Sequence, residues 1–270
     1  MTGPAGDAIV ELAGISRTFG SGAGRVVAID GVDLRVGRGE FVTLVGPSGC
    51  GKSTLFNIAA GLTDADSGGA IRFAGRPHAA RELLGKVSFM PQRDLLLPWR
   101  RVIDNAILAL EVEGMRRSEA RQKAAAMMPE FGLAGFERHY PHQLSGGMRQ
   151  RVALIRTFLF ERDLILLDEP FGALDALTRT MMQRWLLDVW QRHRRSILFI
   201  THDVDEAIFL GDRVVAMTAR PGRIKLEVAV DLPRPRPAHI GTSAEFLRIK
   251  NTLLEAIEEE SMKSFAMAGR

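Results

Sequence analysis

The chain has 270 residues, with 36 Lys and Arg against 32 Asp and Glu and a formal net charge of +4. Hydrophobic residues make up 46% and charged residues 25%, as in an ordinary globular protein, which excludes a disordered chain, a collagen and a coiled-coil rod. A single cysteine, Cys50, excludes an internal disulfide framework and a multi-cysteine zinc site. No apolar run approaches the roughly 18–20 residues that span a bilayer. The opening MTGPAGDAIVELAG lacks the basic flank and long apolar stretch of a signal peptide, so a cytoplasmic chain is expected. Arg116, Arg117, Arg194 and Arg195 are scattered along the chain, which reads as a solvated basic face and not as a nucleic-acid stripe.

In chain order, residues 1–8 read as a flexible tail. From Ile9 to Leu34 short apolar stretches alternate with Gly clusters, predicting strands and turns. Glu40 to Val45 (EFVTLV) predicts a buried strand running into a Gly-rich turn and then a helix over Leu55–Ala60. Residues 64–90 predict a further strand and turn region ending in KVSFM. Val102 to Pro129 predicts helix, with Ile103, Ile107, Leu110 and Met115 on one side. Leu144–Phe160 is helical again, Leu164–Leu167 (LILL) and Ile197–Ile200 (ILFI) are buried strands, and a helix over 176–195 joins them, with Leu177, Met181, Trp185 and Val189 on one face. Strands alternating with helices imply a parallel sheet covered by helices, with residues 95–160 inserted as a helical lobe. PRPRP at 233–237 reads as a short stiff linker to an amphipathic packing or dimer helix over 243–260, carrying Phe246, Ile249, Leu253 and Ile257. Glu258 to Glu260 close that helix with negative charge, which argues against membrane-surface binding.

Gly46 to Ser53 reads GPSGCGKS, the pattern G-x-x-x-x-G-K-[ST], between a predicted strand and a predicted helix. Backbone N–H groups of such a loop converge on phosphate oxygens, and the helix N-terminus adds positive potential. Lys52 is expected to reach the β- and γ-phosphates, Ser53 to give its hydroxyl to Mg²⁺, and Thr54 to help bind the α-phosphate. LILLDEP at 164–170 places Asp168 and Glu169 at the C-terminal end of a strand, where ligand crevices of nucleotide-binding α/β folds lie. Asp168 is expected to hold Mg²⁺, and Glu169 to polarise an attacking water.

Four further motifs accompany these residues: Gln92 in FMPQ, LSGGM at 144–148 followed by RQRVAL, GALD at 172–175 and THD at 201–203. Together they resemble the ATP-binding subunits of ABC transporters, over about residues 9–220 and in that family's order, with the ATP-binding domain expected over 9–232. The resemblance implies an α/β fold with a P-loop NTPase (RecA-like) core, an N-terminal antiparallel β region and an inserted α-helical lobe. It implies that Gly46, Pro47, Ser48, Gly49, Cys50, Gly51, Lys52, Ser53 and Thr54 hold ATP, that Phe19 stacks on adenine, and that Gln92 links metal and water to the helical lobe. It further implies a head-to-tail dimer in which Ser145, Gly146 and Gly147 of one copy close over the ATP of the other, with Asp175 of the GALD segment among the nucleotide-binding residues and His202 contacting the γ-phosphate. Met148 departs from the family's usual Gln, and Met cannot reproduce amide hydrogen bonds. A second departure is IRTFLFERD at 155–163, where the family commonly has Ala-rich sequence and a Pro, which reads as altered packing.

The stretch RDLLLPWRRVIDNAILAL (93–110), with GGMRQRVAL and DEPFGALD, looks like the nitrate, sulfonate, taurine and bicarbonate importer subgroup. That likeness implies docking of a membrane permease around Leu95, Leu96, Leu97, Pro98 and Trp99, an external solute-binding protein in the complex, and a place on the inner face of the plasma membrane. The ATPase of an exporter or lipid-transfer complex is the alternative. Soluble ABC ATPases of translation carry two motif sets in one chain, and those of DNA repair need a long coiled coil that the stretch between Ser53 and Ser145 cannot supply.

Overall fold

A computed structural model describes residues 8–268. In chain order it has strands β1 (Ala8–Phe19), β2 (Val26–Gly37) and β3 (Phe41–Val45), helix α1 (Lys52–Ala59), and strands β4 (Ala70–Phe73), β5 (Arg76–His78) and β6 (Ser88–Met90). Next come helices α2 (Val102–Ala106), α3 (Leu108–Val112), α4 (Arg117–Met127) and α5 (Gly146–Leu159), then β7 (Leu164–Asp168), α6 (Ala176–His193), β8 (Ser196–Ile200), α7 (Val204–Leu210), β9 (Arg213–Met217), β10 (Ile224–Ala229) and α8 (Ala244–Ala268). The chain forms two compact units: the described parts of Met1–Val87 and Arg194–Arg270, and Ser88–His193. Of the expected tail, residues 1–7 lie outside the described residues, whereas Ala8 already belongs to β1.

In the first unit β1 pairs antiparallel with β2 and β4, and β4 with β5, which is the expected N-terminal antiparallel region. β3 lies between β8 and β9, parallel to both, and β10 closes antiparallel onto β9. Every residue of β3 and β8 is buried, as a parallel strand covered on both faces requires. The apolar face of α8, through Phe246, Ile249 and Leu253, packs with Val204, Ala207 and Ile208 of α7 and with Val214 and Ala216 of β9. The expected closing of this helix at Glu260 is corrected: it runs on to Ala268, and Glu260 is 4% exposed because cationic partners hold it.

PRPRP is likewise not a free linker. Arg236 is buried and its guanidinium donates to the carbonyls of Ile208, Phe209 and Gly211 at 2.7–2.8 Å, while Arg234 donates to Leu210 O at 2.6 Å. The two arginines thus satisfy the carbonyls that the end of α7 leaves open.

In the second unit β6 and β7 form a parallel pair beside α2–α6. The helix expected over 102–129 is three short ones. Gly114, at φ 82°, stops α3, and Ile107 departs from helical backbone between α2 and α3. Ile107 and Leu110 are buried as expected. The face expected for α6 is rotated. Leu177 and Met181 are 73% and 63% exposed, and Met182, Leu186, Leu187 and Trp190 face the core instead. Trp185 sits at the rim of that core, its ring 4.1 Å from Phe131 and its Nε1 donating to Glu130. The 3.6-residue period is right, and its phase follows the stripe through Met182, Leu186 and Trp190 instead of the one through Leu177 and Met181.

Candidate functional site

The phosphate loop leaves β3 at Val45 and enters α1 at Lys52 within the first unit. Lys52 is buried, and its ammonium donates to Gly46 O at 2.7 Å and Pro47 O at 2.9 Å, with the Cys50 sulfur at 3.7 Å. The Cys50 N–H points at the same Pro47 carbonyl, at 3.3 Å. A lysine and a backbone amide therefore converge on the inside of one loop. Gly51 caps α1 at φ 109°, where a Cβ would meet Ile29 Cγ2 at 2.5 Å and Ala28 O at 2.7 Å, so no larger residue fits between the loop and β2. Ser48, Gly49 and Ser53 are exposed, and Thr54 is half-buried. Cys50 is buried and acts as a small filler.

Phe19, the last residue of β1, is 43% exposed, with the Arg17 guanidinium 5.1 Å from its ring centre. His202 is exposed two positions past β8. Its backbone neighbours are fixed on both sides: Thr201 N–H donates to Leu44 O of β3, and Asp203 caps α7 by accepting from the N–H groups of Asp205 and Glu206.

The remaining motif residues lie in the second unit. Asp168 ends β7 and is 4% exposed. Glu169 has φ 47°, a left-handed conformation unfavourable for a residue with a Cβ, of the kind that clusters at functional sites. The Gln92 side-chain NH₂ donates to Glu169 Oε2 at 3.2 Å, which brings these two expected site residues together. Ser145 is the N-cap of α5, its hydroxyl oxygen accepting from Met148 N–H at 3.2 Å. That bond uses a lone pair, so the hydroxyl proton remains available to donate. Met148 thus serves the turn through its backbone. Asp175 accepts from Thr178 N–H at 2.9 Å, and that threonine's hydrogen bonds hold the Asp175 carboxyl below its usual range.

Several contacts could not be read from the motifs. Buried Gln150, in α5, accepts the Ala173 N–H and so ties the helix behind Ser-Gly-Gly to the GALD turn. Arg156 donates to Asp94 O at 2.7 Å and Leu95 O at 3.0 Å, and Asn105 bonds both the N–H and the C=O of Leu97. Backbone groups of the 94–97 stretch are therefore held from behind, while Leu95 (55% exposed) and Trp99 (72% exposed) face outward. Leu96 and Leu97 are half-buried, so the apolar row is only partly presented. The signal for these contacts was weak, since Gln, Arg and Asn in helices read as ordinary surface residues.

A buried parallel strand running into a glycine loop that opens a helix defines a P-loop nucleotide-binding protein. A family profile described as ABC transporter matches residues 29–172, and the chain belongs to that family: it is an ABC ATP-binding subunit with ATPase activity. It is 43% identical to an uncharacterized ABC transporter ATP-binding protein, MJ0412, of Methanocaldococcus jannaschii, over 94% of this chain and 93% of that one. It is 41% identical to the aliphatic sulfonates import ATP-binding protein SsuB of Bacillus licheniformis, over 92% and 94% respectively. Among solved structures, the ATP-binding cassette MJ0796 in a dimeric post-hydrolysis state with ADP and Pi superposes with a TM-score of 0.75 at 29% identity, covering 83% of this chain and all of that one.

Proposed function

We propose that this chain is the ATP-hydrolysing motor subunit of an importer for aliphatic sulfonates or a related small organic anion. The observation that carries the reading is similarity along nearly the whole chain to proteins named for aliphatic sulfonate import. The exposed Leu95 and Trp99 support it, since apolar side chains on a bonded backbone suit docking of a permease helix.

In this reading Lys52 leaves the Gly46 and Pro47 carbonyls for the β- and γ-phosphate oxygens, and the N–H groups of Gly46 and of residues 48–54 take the rest of the triphosphate. Thr54 adds a contact at the α-phosphate. Ser53, Gln92 and Asp168 are the candidate metal donors, offering hydroxyl, amide and carboxylate oxygens of the kind Mg²⁺ prefers. Mg²⁺, when bound there, neutralises phosphate charge. Gln92 donates its NH₂ to Glu169, which leaves its amide oxygen for the metal. Glu169 orients and deprotonates the attacking water, and His202 contacts the γ-phosphate. Phe19 takes adenine on its ring.

The second partner is another copy of this chain. Ser145, Gly146 and Gly147 at the start of α5 supply N–H groups and helix-dipole potential to the γ-phosphate held by the other copy, with Asp175 beside them. Solved structures of the cassette MJ0796 are dimeric, which supports a second copy as partner. No helix among the described residues is long and apolar enough to cross a membrane, so the chain reaches the inner face of the plasma membrane by binding its permease. An external solute-binding protein completes the complex and selects the solute.

The test is purification of the tagged chain in mild detergent, identification of the co-purifying proteins by mass spectrometry, and then uptake by the reconstituted complex. A permease and ATP-dependent uptake of an alkanesulfonate are expected. Uptake of nitrate or bicarbonate alone would move the solute within the subgroup, and a permease that exports would overturn the importer reading.

A further inference from the structure

The turn between β9 and β10 lies against the outside of the phosphate loop. Gly222 N–H donates to Ala28 O at 2.9 Å, and Gly222 O accepts from Asp30 N–H at 3.0 Å, which fastens the turn to β2. Arg223 pairs with Asp30 beside these bonds. A Cβ on Gly222 would fall 2.0 Å from Cys50 O, so only glycine permits this approach to the loop. Within the turn, Thr218 Oγ1 donates to Pro221 O at 3.0 Å and accepts from Arg223 N–H at 3.0 Å. From this braced turn Arg220 reaches Gly49, and its Nε and Nη2 donate to the Gly49 carbonyl at 3.1 and 2.9 Å.

A trans peptide points its C=O and its N–H in opposite directions. A guanidinium that holds the Gly49 oxygen outward therefore turns the Cys50 N–H inward. That N–H indeed points at Pro47 O, the acceptor it shares with the Lys52 ammonium. The residue before Arg220 is held in turn by the C-terminal helix, since Ala219 N–H donates to Glu260 Oε2 at 2.9 Å. The other oxygen of Glu260 accepts from Lys225 and Lys263, both at 2.8 Å.

We propose that Arg220 is a positioning residue for nucleotide binding, presenting the Cys50 N–H to the phosphates through the Gly49 carbonyl, and that Glu260 of α8 sets Arg220 through Ala219. The proposal rests on residues 46–54 being the phosphate loop. It gives the C-terminal helix a route to the phosphate loop, from Glu260 through Ala219 and Arg220, residues far from the loop in sequence. The guanidinium is exposed and its bonds are partly screened by water, so the effect is one of affinity and not of folding.

The test is binding of a fluorescent ADP with Mg²⁺ to the full chain, for wild type, Arg220→Ala, Arg220→Lys and Glu260→Gln, with the melting temperature of each. Arg220→Ala is expected to raise Kd at least about fivefold while its melting temperature stays near that of wild type. Its KM for ATP rises by more than its kcat falls. Arg220→Lys, with a single donor direction, recovers part of the affinity, and Glu260→Gln shifts Kd in the same direction as Arg220→Ala by less. An Arg220→Ala Kd within twofold of wild type would overturn the proposal. Full recovery by lysine would also overturn it, since charge alone would then account for the effect. A wild-type chain that fails to bind the nucleotide would instead overturn the reading of the phosphate loop.

Discussion

In the proposed reaction Glu169 is the residue that handles the water. Its carboxylate lies just past a buried strand, accepts from Gln92, and sits on backbone that its own side chain disfavours. Such strain persists only where the surroundings fix it. Glu169→Gln keeps the shape and the ability to accept from Gln92 but removes the base. It is expected to lower ATP hydrolysis by about 10²- to 10⁴-fold, measured as phosphate release, with ATP affinity retained. Wild-type turnover in that variant would mean that another group handles the water. The candidacy of Glu169 was legible in the sequence, because a carboxylate pair after LILL, downstream of a GPSGCGKS loop, suits that chemistry. The role of Arg220 was not legible, since nothing local to RPGR says that a carbonyl 171 positions earlier lies beneath it.

Between residue and fold, two elements carry the outcomes most open to measurement. Helix α7 has seven residues and is capped at both ends, by Asp203 at its start and by Arg234 and Arg236 beyond its end. Burial, and then the charge of Arg234, lower the Arg236 pKa to about 10, yet it remains cationic at neutral pH. Arg236→Ala removes the donor to three carbonyls, two of them in buried contacts, and is expected to cost about 2–4 kcal/mol, read from urea unfolding. Helix α8 adds a pH dependence. Burial pushes the Glu260 carboxyl up, but donation from Lys225, Lys263 and the Ala219 N–H outweighs it and holds the pKa at about 2, against an ordinary 4.5. Its stabilisation is therefore complete above about pH 5 and disappears as pH falls through about 2. Glu260→Gln should be less stable than wild type at pH 7, and the gap should narrow steadily on acidification between those limits. A gap independent of pH would mean that the charge is not what α8 contributes. Periodicity showed that α8 is amphipathic with Phe246, Ile249 and Leu253 inward. It did not show where the helix ends, because a carboxylate run reads as a solvated terminus until a lysine from another strand is known to face it.

For the molecule as a whole, the class of fold was legible in the alternation of buried strands and helices, and the motifs fell where strand ends and helix starts put them. The sequence placed an inserted lobe at 95–160, and the two compact units do differ in continuity. Ser88–His193 is one stretch, whereas the other unit joins chain from before it to chain from after it. Strand β3, from which the phosphate loop springs, takes both its neighbours from beyond residue 193. The phosphate loop also has its outer wall, Thr218–Arg223, from that later part. During synthesis the loop thus leaves the ribosome without the strands that flank it. At the roughly 5–20 residues per second of translation, making the intervening stretch alone takes about 5–20 s. A nascent chain stalled before β8 is expected not to retain an ATP resin, whereas the full chain does. Nucleotide capture is then a late event in the life of the polypeptide, and a ribosome that abandons the message early leaves no fragment able to compete for ATP.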